Sequence, residues 1–104
     1  MRVAKHDKFS IEAGILRVER ELDEIEAEEL AAAVGQLVRS DTAAPVVDLG
    51  GLSFLPSYHV SGIQEAATDC RRDGRSLTVV GTRGVIMMLE RMGLGSVARL
   101  RAVD

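Results

Sequence analysis

The sequence is poor in aromatic residues. Among its 104 residues there are two Phe, one Tyr and no Trp. The hydrophobic core must therefore be built from aliphatic side chains. Proteins that bind single-stranded nucleic acid stack its bases on several exposed rings, and three rings are too few for such a surface.

Cysteine is also scarce, because Cys70 is the only one in the chain. A disulfide within the chain and a thiolate metal cluster are therefore both excluded, and a reducing, cytoplasmic setting is expected. The sequence has two histidines, and it contains neither an HExxH nor a CxxC motif. We predict no metal and no cofactor.

Long apolar runs are missing, although 46% of the residues are hydrophobic. No stretch approaches the roughly 20 apolar residues of a membrane span, so no insertion into a membrane is expected. The first ten residues, MRVAKHDKFS, lack the apolar segment of a signal peptide. The length of the chain predicts one domain over residues 1–104.

Charge is unevenly distributed along the chain. Residues 1–52 carry six Lys and Arg against eleven Asp and Glu, whereas residues 53–104 carry seven against five. This pattern lacks the basic footprint of a nucleic-acid-binding protein. The acidic run over residues 19–29 is typical of a solvated helix start.

Hydrophobic periodicity predicts the element order β-β-α-β-α-β-α-β. A hairpin is expected from Lys8–Glu12, a turn at Ala13-Gly14 and a strand over residues 15–21; Val46–Leu49 reads as a buried central strand. Alternating strands and helices predict an α/β domain whose sheet is largely parallel after the hairpin. The last two strands are expected around residues 77–80 and 97–103.

Three amphipathic helices are expected between these strands. The first begins at Asp23, which forms a capping box with Glu26, and it ends near Ser40. The second begins at Pro56-Ser57 and ends near Asp73-Gly74; the third follows the turn over residues 81–84, which we favour over a phosphate-binding nest. The predicted core positions are Ile25, Leu30, Val34, Leu37 and Val38 in the first helix, Val60, Ile63, Ala67 and Cys70 in the second, and Val85, Met88, Leu89 and Met92 in the third.

Catalysis is not expected. Ser57, His59 and Asp48 could form a triad on paper, but side chains two positions apart on a helix do not face each other. No nucleophile elbow of the Gly-x-Ser-x-Gly type is present. From local chemistry alone, the favoured role of Ser57 is an ordinary N-cap.

Three segments resemble the STAS domain family, which includes sulphate transporters and anti-sigma factor antagonists. Glu21-Leu22-Asp23 is similar to the family's Gly-Glu-Leu-Asp segment, and residues 46–54 are similar to its central strand and the start of its switch loop. Residues 83–94 are similar to its third helix, which ends in Gly93-Leu94. The resemblance implies a STAS-like domain with a four- to five-stranded mixed sheet and helices packed on it.

The resemblance also implies a function. Free-standing members are anti-sigma factor antagonists that bind an anti-sigma factor, which is also a serine kinase of the GHKL type. The kinase phosphorylates a serine or threonine at the start of the second helix and breaks the complex, and a phosphatase of the PP2C type resets it. The phosphorylated residue would here be Ser57.

The family's switch reads Asp, then Ser or Thr, a small residue and Gly, whereas this chain has Pro56-Ser57-Tyr58-His59. The alternative is therefore a STAS subunit of a transport or signalling complex that binds its partner without phosphorylation. Tyr58 is either a partner anchor or a half-buried ring, and His59 is expected at the rim rather than as a pH sensor or ligand. The residues expected to bind a partner are Asp23, Pro56, Ser57, Tyr58, His59, Ser61, Gly62, Thr82 and Met87.

Overall fold

The computed structural model describes residues 9–103 and confirms the predicted order of elements. Lys8, predicted as the start of the first strand, lies outside the described residues. The strands are β1 (Phe9–Glu12), β2 (Ile15–Val18), β3 (Val46–Leu49), β4 (Thr78–Gly81) and β5 (Arg99–Ala102). The helices are α1 (Ala27–Arg39), α2 (Val60–Arg72) and α3 (Arg83–Arg91), with 3-10 turns at Glu24–Glu26, Ser57–His59 and Leu94–Ser96.

The five strands form one mixed sheet in chain order, β1-β2-β3-β4-β5. β1 and β2 are antiparallel, and every later pair is parallel, as predicted. The hairpin turn has φ of 56° at Ala13 and 79° at Gly14, the two positive values that a tight two-residue turn requires. β2 ends at Val18, short of the predicted residue 21, and its pairing with β3 ends at Arg17 and Asp48.

All three helices pack on one face of the sheet, because crossovers between neighbouring parallel strands are right-handed. The buried side chains of β2, β3 and β4 on this face form one aliphatic cluster with the helices. On the other face Arg17 Nε lies 3.2 Å from Asp48 Oδ2. Val80 is buried but does not belong to the main cluster, which agrees with its place on that second face.

Two predicted core positions are wrong. Ile25 is 82% exposed because residues 24–26 form a 3-10 turn, whose three-residue period differs from that of the α-helix that follows. Met92 is exposed because α3 ends at Arg91 and Gly93, with φ of 85°, turns the chain away. The other predicted core positions of the three helices are buried, apart from Met88, which is partly buried against the cluster.

Arg75 joins the C-terminal ends of α1 and α2. Its guanidinium donates to the carbonyl oxygens of Val38 at 2.7 Å and Thr42 at 3.0 Å. It also forms a two-point contact with the Asp73 carboxylate, at 2.9 and 2.8 Å. This hydrogen bonding lowers the pKa of Asp73.

Candidate functional site: the loop and turn around Ser57

The candidate site lies at the carboxyl edge of the parallel strands. The chain leaves β2 toward Asp23, β3 toward Ser57, and β4 toward Thr82. Since these three strands are parallel neighbours, the segments that follow them meet at the same edge of the sheet. The topology therefore brings together three segments that are far apart in the sequence.

The loop between β3 and Ser57 is held at both ends. Asp48 Oδ1 accepts the Gly50 N–H at 2.8 Å, and the side chains of Leu52 and Leu55 are buried in the core. Phe54, between these two leucines, is 62% exposed. The loop thus presents an aromatic ring to solvent on a fixed backbone.

Glu21 fixes this loop from the side, a role that the sequence analysis missed. Its Oε2 accepts hydrogen bonds from the Ser53 N–H at 2.8 Å and from the Ser53 hydroxyl at 2.9 Å. The bond from the Ser53 N–H is the main cause that lowers the pKa of Glu21, and the bond from the Ser53 hydroxyl adds to it. The two residues lie 32 positions apart, so no local pattern could have revealed the contact.

Ser57 is exposed and begins the 3-10 turn that precedes α2. The N-cap of this turn is Pro56, whose carbonyl accepts a hydrogen bond from the His59 N–H at 3.0 Å. Among the described residues the Ser57 hydroxyl forms no hydrogen bond, so the interpretation of Ser57 as an N-cap is wrong. The hydroxyl is available to solvent.

His59 is buried, which corrects the expectation that it lies at the rim. Its side chain is 2% exposed, and its Nε2–H donates to the Asp23 carbonyl oxygen at 3.1 Å. Nδ1 is buried and has no hydrogen-bond partner among residues 9–103. Burial is the main cause of the lowered pKa of His59. The hydrogen bond to the Asp23 carbonyl and the charges of Glu26 and Asp23 act in the opposite direction and raise this pKa.

Asp23 is linked to both neighbouring turns. The Asp23 carbonyl accepts a hydrogen bond from the His59 ring, and the Asp23 N–H donates one to Glu26 Oε1 at 2.8 Å. The second contact is the half of the predicted capping box in which the glutamate reaches back. α1 itself begins later, at Ala27. Asp23 thus connects the start of the first helical segment to the turn that carries Ser57.

A groove of about 410 Å³ runs between the N-terminal halves of α1 and α2. We name it the α1–α2 groove. Gly62 allows the two helices to approach closely, because a Cβ at this position would lie 2.8 Å from the Ala31 Cβ. The groove is lined by Ala27, Glu28, Ala31, Tyr58, Ser61, Gly62 and Glu65.

Tyr58 lies at the end of this groove and is 48% exposed. Its ring centroid lies 4.9 Å from that of His59, at an interplanar angle of 44°. The buried histidine thus supports one side of the exposed tyrosine. Tyr58 is therefore a half-exposed ring in contact with a buried one.

The α3 side of the site contains the last two predicted residues. Thr82 is the N-cap of α3, and its hydroxyl accepts the Val85 N–H at 3.4 Å. Met87 is exposed, as expected for a residue off the core-facing side. Between this helix and the Ser57 loop is a cavity of about 220 Å³, lined by Ser53, Phe54, Leu55, Gly84, Val85 and Met88.

The geometry separates seven of the nine predicted residues into two groups. The other two are Asp23, which is exposed and bonded through its backbone, and Pro56, the half-buried N-cap of the Ser57 turn. Ser57, Tyr58, Ser61 and Met87 are exposed. His59, Gly62 and Thr82 are engaged in packing or capping inside the protein, as described above. Phe54 joins the first group by its exposure, although it was not among the predicted site residues.

Comparison with known proteins identifies the family. A family model described as "Mlab, STAS domain" matches residues 6–101. The chain belongs to the STAS domain family. A search of curated proteins returned no significant match to this STAS domain.

The fold of this STAS domain is also found among solved structures. A protein of Thermotoga maritima, described as an anti-sigma factor antagonist, matches it with a TM-score of 0.71 and 13% sequence identity. The match covers 91% of this chain and 85% of that one. At this identity the likeness establishes the shared fold.

Two kinds of feature are absent from the part of the STAS domain that the structure describes. None of the helices within residues 9–103 is long and apolar enough to cross a membrane. Over the same range, no group of three or more His, Cys, Asp or Glu side chains is placed to hold a metal ion.

Proposed function

We propose that this STAS domain is an anti-sigma factor antagonist. It binds an anti-sigma factor of the GHKL serine kinase type through the loop and turn around Ser57, and phosphorylation of Ser57 releases the partner. A PP2C-type phosphatase resets the cycle. The role is one of binding and regulation, without a reaction catalysed by this chain.

The observation that carries the proposal is the exposed hydroxyl of Ser57 on a fixed backbone. Phe54 and Tyr58 expose their rings three residues before it and one residue after it. Aromatic anchors of this kind supply much of the energy of protein interfaces. A phosphate on Ser57 would place a hydrated group of charge about −1.5 to −2 among them, and its bulk and hydration would prevent close contact by a partner.

The proposal is tested by affinity capture from the native cell on the immobilised full chain, with mass spectrometry of bound proteins and of phosphosites. We expect Ser57→Ala to retain the captured kinase and Ser57→Asp to lose most of it. Ser76→Asp is the matched control, because Ser76 is exposed and precedes β4 at the opposite edge of the sheet. Equal capture by Ser57→Ala and Ser57→Asp would refute the switch.

A second candidate function is a STAS subunit of a transport or signalling complex that does not switch. It is favoured by His59, which occupies the family's Gly position as a buried core residue, and by the Tyr58 ring packed against it. This function predicts a constant complex and no phosphate on Ser57 in any growth condition. Recovery of Ser57-phosphorylated protein from cells would exclude it.

A further inference from the structure

The surface beside the Ser57 turn carries a strong excess of negative charge. Residues 21–70 contain ten Asp and Glu but a single basic side chain, Arg39. This span includes α1, the loop between β3 and Ser57, and α2 as far as Cys70. The span has a net charge of −9, and α2 ends just beyond it with Arg71 and Arg72, at the end of the helix away from the Ser57 turn.

Two carboxylates face the α1–α2 groove from different helices. Glu28 is in the first turn of α1, and Glu65 is in the first half of α2. Neither carboxylate forms an ion pair or a hydrogen bond with any other residue in the part of the chain that the structure describes. The floor between them consists of Ala27, Ala31 and Gly62, which contribute no charge.

Tyr58 completes the groove with an aromatic surface. A guanidinium or ammonium group is attracted to the face of a tyrosine ring within about 6 Å of its centroid. Carboxylates also bind arginine through paired, charge-assisted hydrogen bonds. The groove therefore combines an aromatic wall, two unpaired carboxylates and a small-residue floor, which together suit an arginine side chain.

We propose that the α1–α2 groove docks a basic segment of the protein partner, with an arginine over Tyr58 between Glu28 and Glu65. The inference rests on the proposed function and adds the chemistry by which the partner is recognised. The charge of the span decides between classes of occupant, because nucleic acids and anionic lipid surfaces are repelled by it. A protein segment rich in arginine is attracted.

The test uses the full-length ¹⁵N-labelled chain, titrated with a hexa-arginine peptide and, separately, with a hexa-glutamate peptide. We expect hexa-arginine to shift the amide signals of residues lining the groove, and hexa-glutamate to shift none. The double variant Glu28→Gln/Glu65→Gln should weaken hexa-arginine binding at least tenfold. Tyr58→Leu, which keeps both carboxylates, should weaken it several-fold and serves as an independent variant.

The matched control is the double variant Asp41→Asn/Asp69→Asn. It removes the same charge from a different cavity, of about 630 Å³, which Arg39 and Arg75 also line. We expect it to bind hexa-arginine within twofold of the wild type. If both double variants weakened binding equally, the attraction would be spread over the surface, and the proposal that the groove is the docking site would be overturned. Unchanged binding by Glu28→Gln/Glu65→Gln would overturn it as well.

Two further measurements separate this inference from other outcomes. If the wild-type chain self-associated in sedimentation and Glu28→Gln/Glu65→Gln did not, the groove would bind a second copy of the chain, and the proposal would be overturned. If Glu28→Gln/Glu65→Gln captured as much anti-sigma factor as the wild type, the groove would not be the docking site, but the proposed function would still hold. If hexa-arginine binds as expected and no anti-sigma factor is captured, the groove is supported and the proposed function fails alone.

Discussion

Replacement of Gly62 by alanine should test how tightly α1 and α2 are packed. The added Cβ would lie 2.8 Å from the Ala31 Cβ and 3.2 Å from the Ala31 Cα. These neighbours cannot rotate away, so the helices must separate, and overpacking of this kind costs about 1–3 kcal/mol. Higher helix propensity returns up to about 1 kcal/mol, so we expect a net loss of about 0–2 kcal/mol in the free energy of unfolding.

A double-mutant cycle with Ala31→Gly isolates the contact. Ala31→Gly alone should cost about 1 kcal/mol through helix propensity. In the double variant the offending Ala31 Cβ is gone, so its loss should be smaller than the sum of the two single losses by about 1 kcal/mol or more. The assay is urea denaturation of the four proteins, which gives the free energy of unfolding of each.

Gly84→Ala is the control for helix propensity. Gly84 is in α3, and a Cβ there would meet nothing within 4 Å. We therefore expect Gly84→Ala to be neutral or stabilising by up to about 1 kcal/mol. If Gly62→Ala changed the free energy of unfolding as Gly84→Ala does, or if the cycle were additive within about 0.5 kcal/mol, the Gly62–Ala31 contact would not be as tight as described.

Three other predictions concern single side chains. The pKa of His59 is lowered in the folded protein, so the unfolded chain binds more protons, and the free energy of unfolding should fall as pH decreases through about 6.5. His59→Gln should flatten this part of the pH profile of stability. An unchanged slope in His59→Gln would contradict the assignment of this pH dependence to His59. Glu21→Ala should speed hydrogen exchange at the Ser53 amide, measured by NMR, while the amides of β3 keep their protection; equal exchange before and after would show that the Glu21 contact is unimportant. Arg75→Ala should lower Tm more than Arg72→Ala, because Arg75 bonds two backbone carbonyls whereas Arg72 makes one exposed ion pair, and equal shifts would refute this difference.

The fold was predictable because its signals are local. Val46–Leu49 is a short apolar run after a proline, and it is the central strand. The Ala13-Gly14 turn and the apolar spacing in α1 likewise depend on neighbours in the sequence. The prediction that Ile25 is a core residue was wrong because hydrophobic spacing does not distinguish a 3-10 turn from the first turn of an α-helix. The two conformations direct a side chain differently.

The contacts of the residues in the candidate site were not predictable from the sequence. The resemblance to the STAS family located the loop and Ser57, yet His59 was expected at the rim. The ring is instead buried and donates to the Asp23 carbonyl, 36 positions away. The contact of Glu21 with Ser53 is equally remote in sequence. Such long-range hydrogen bonds arise from the packing of the folded chain and leave no periodic trace.

The link between His59 and Asp23 and the contact of Gly62 with Ala31 have a consequence for the kinetics of binding. Both hold the Ser57 turn against α1, so the surface that we propose for partner binding is already formed in the free protein. A partner then meets a surface that loses little conformational entropy on association, and its backbone should move by less than about 1 Å on binding. The rate of association should accordingly be set by diffusion and by the attraction of the acidic span, and it should fall as salt is added.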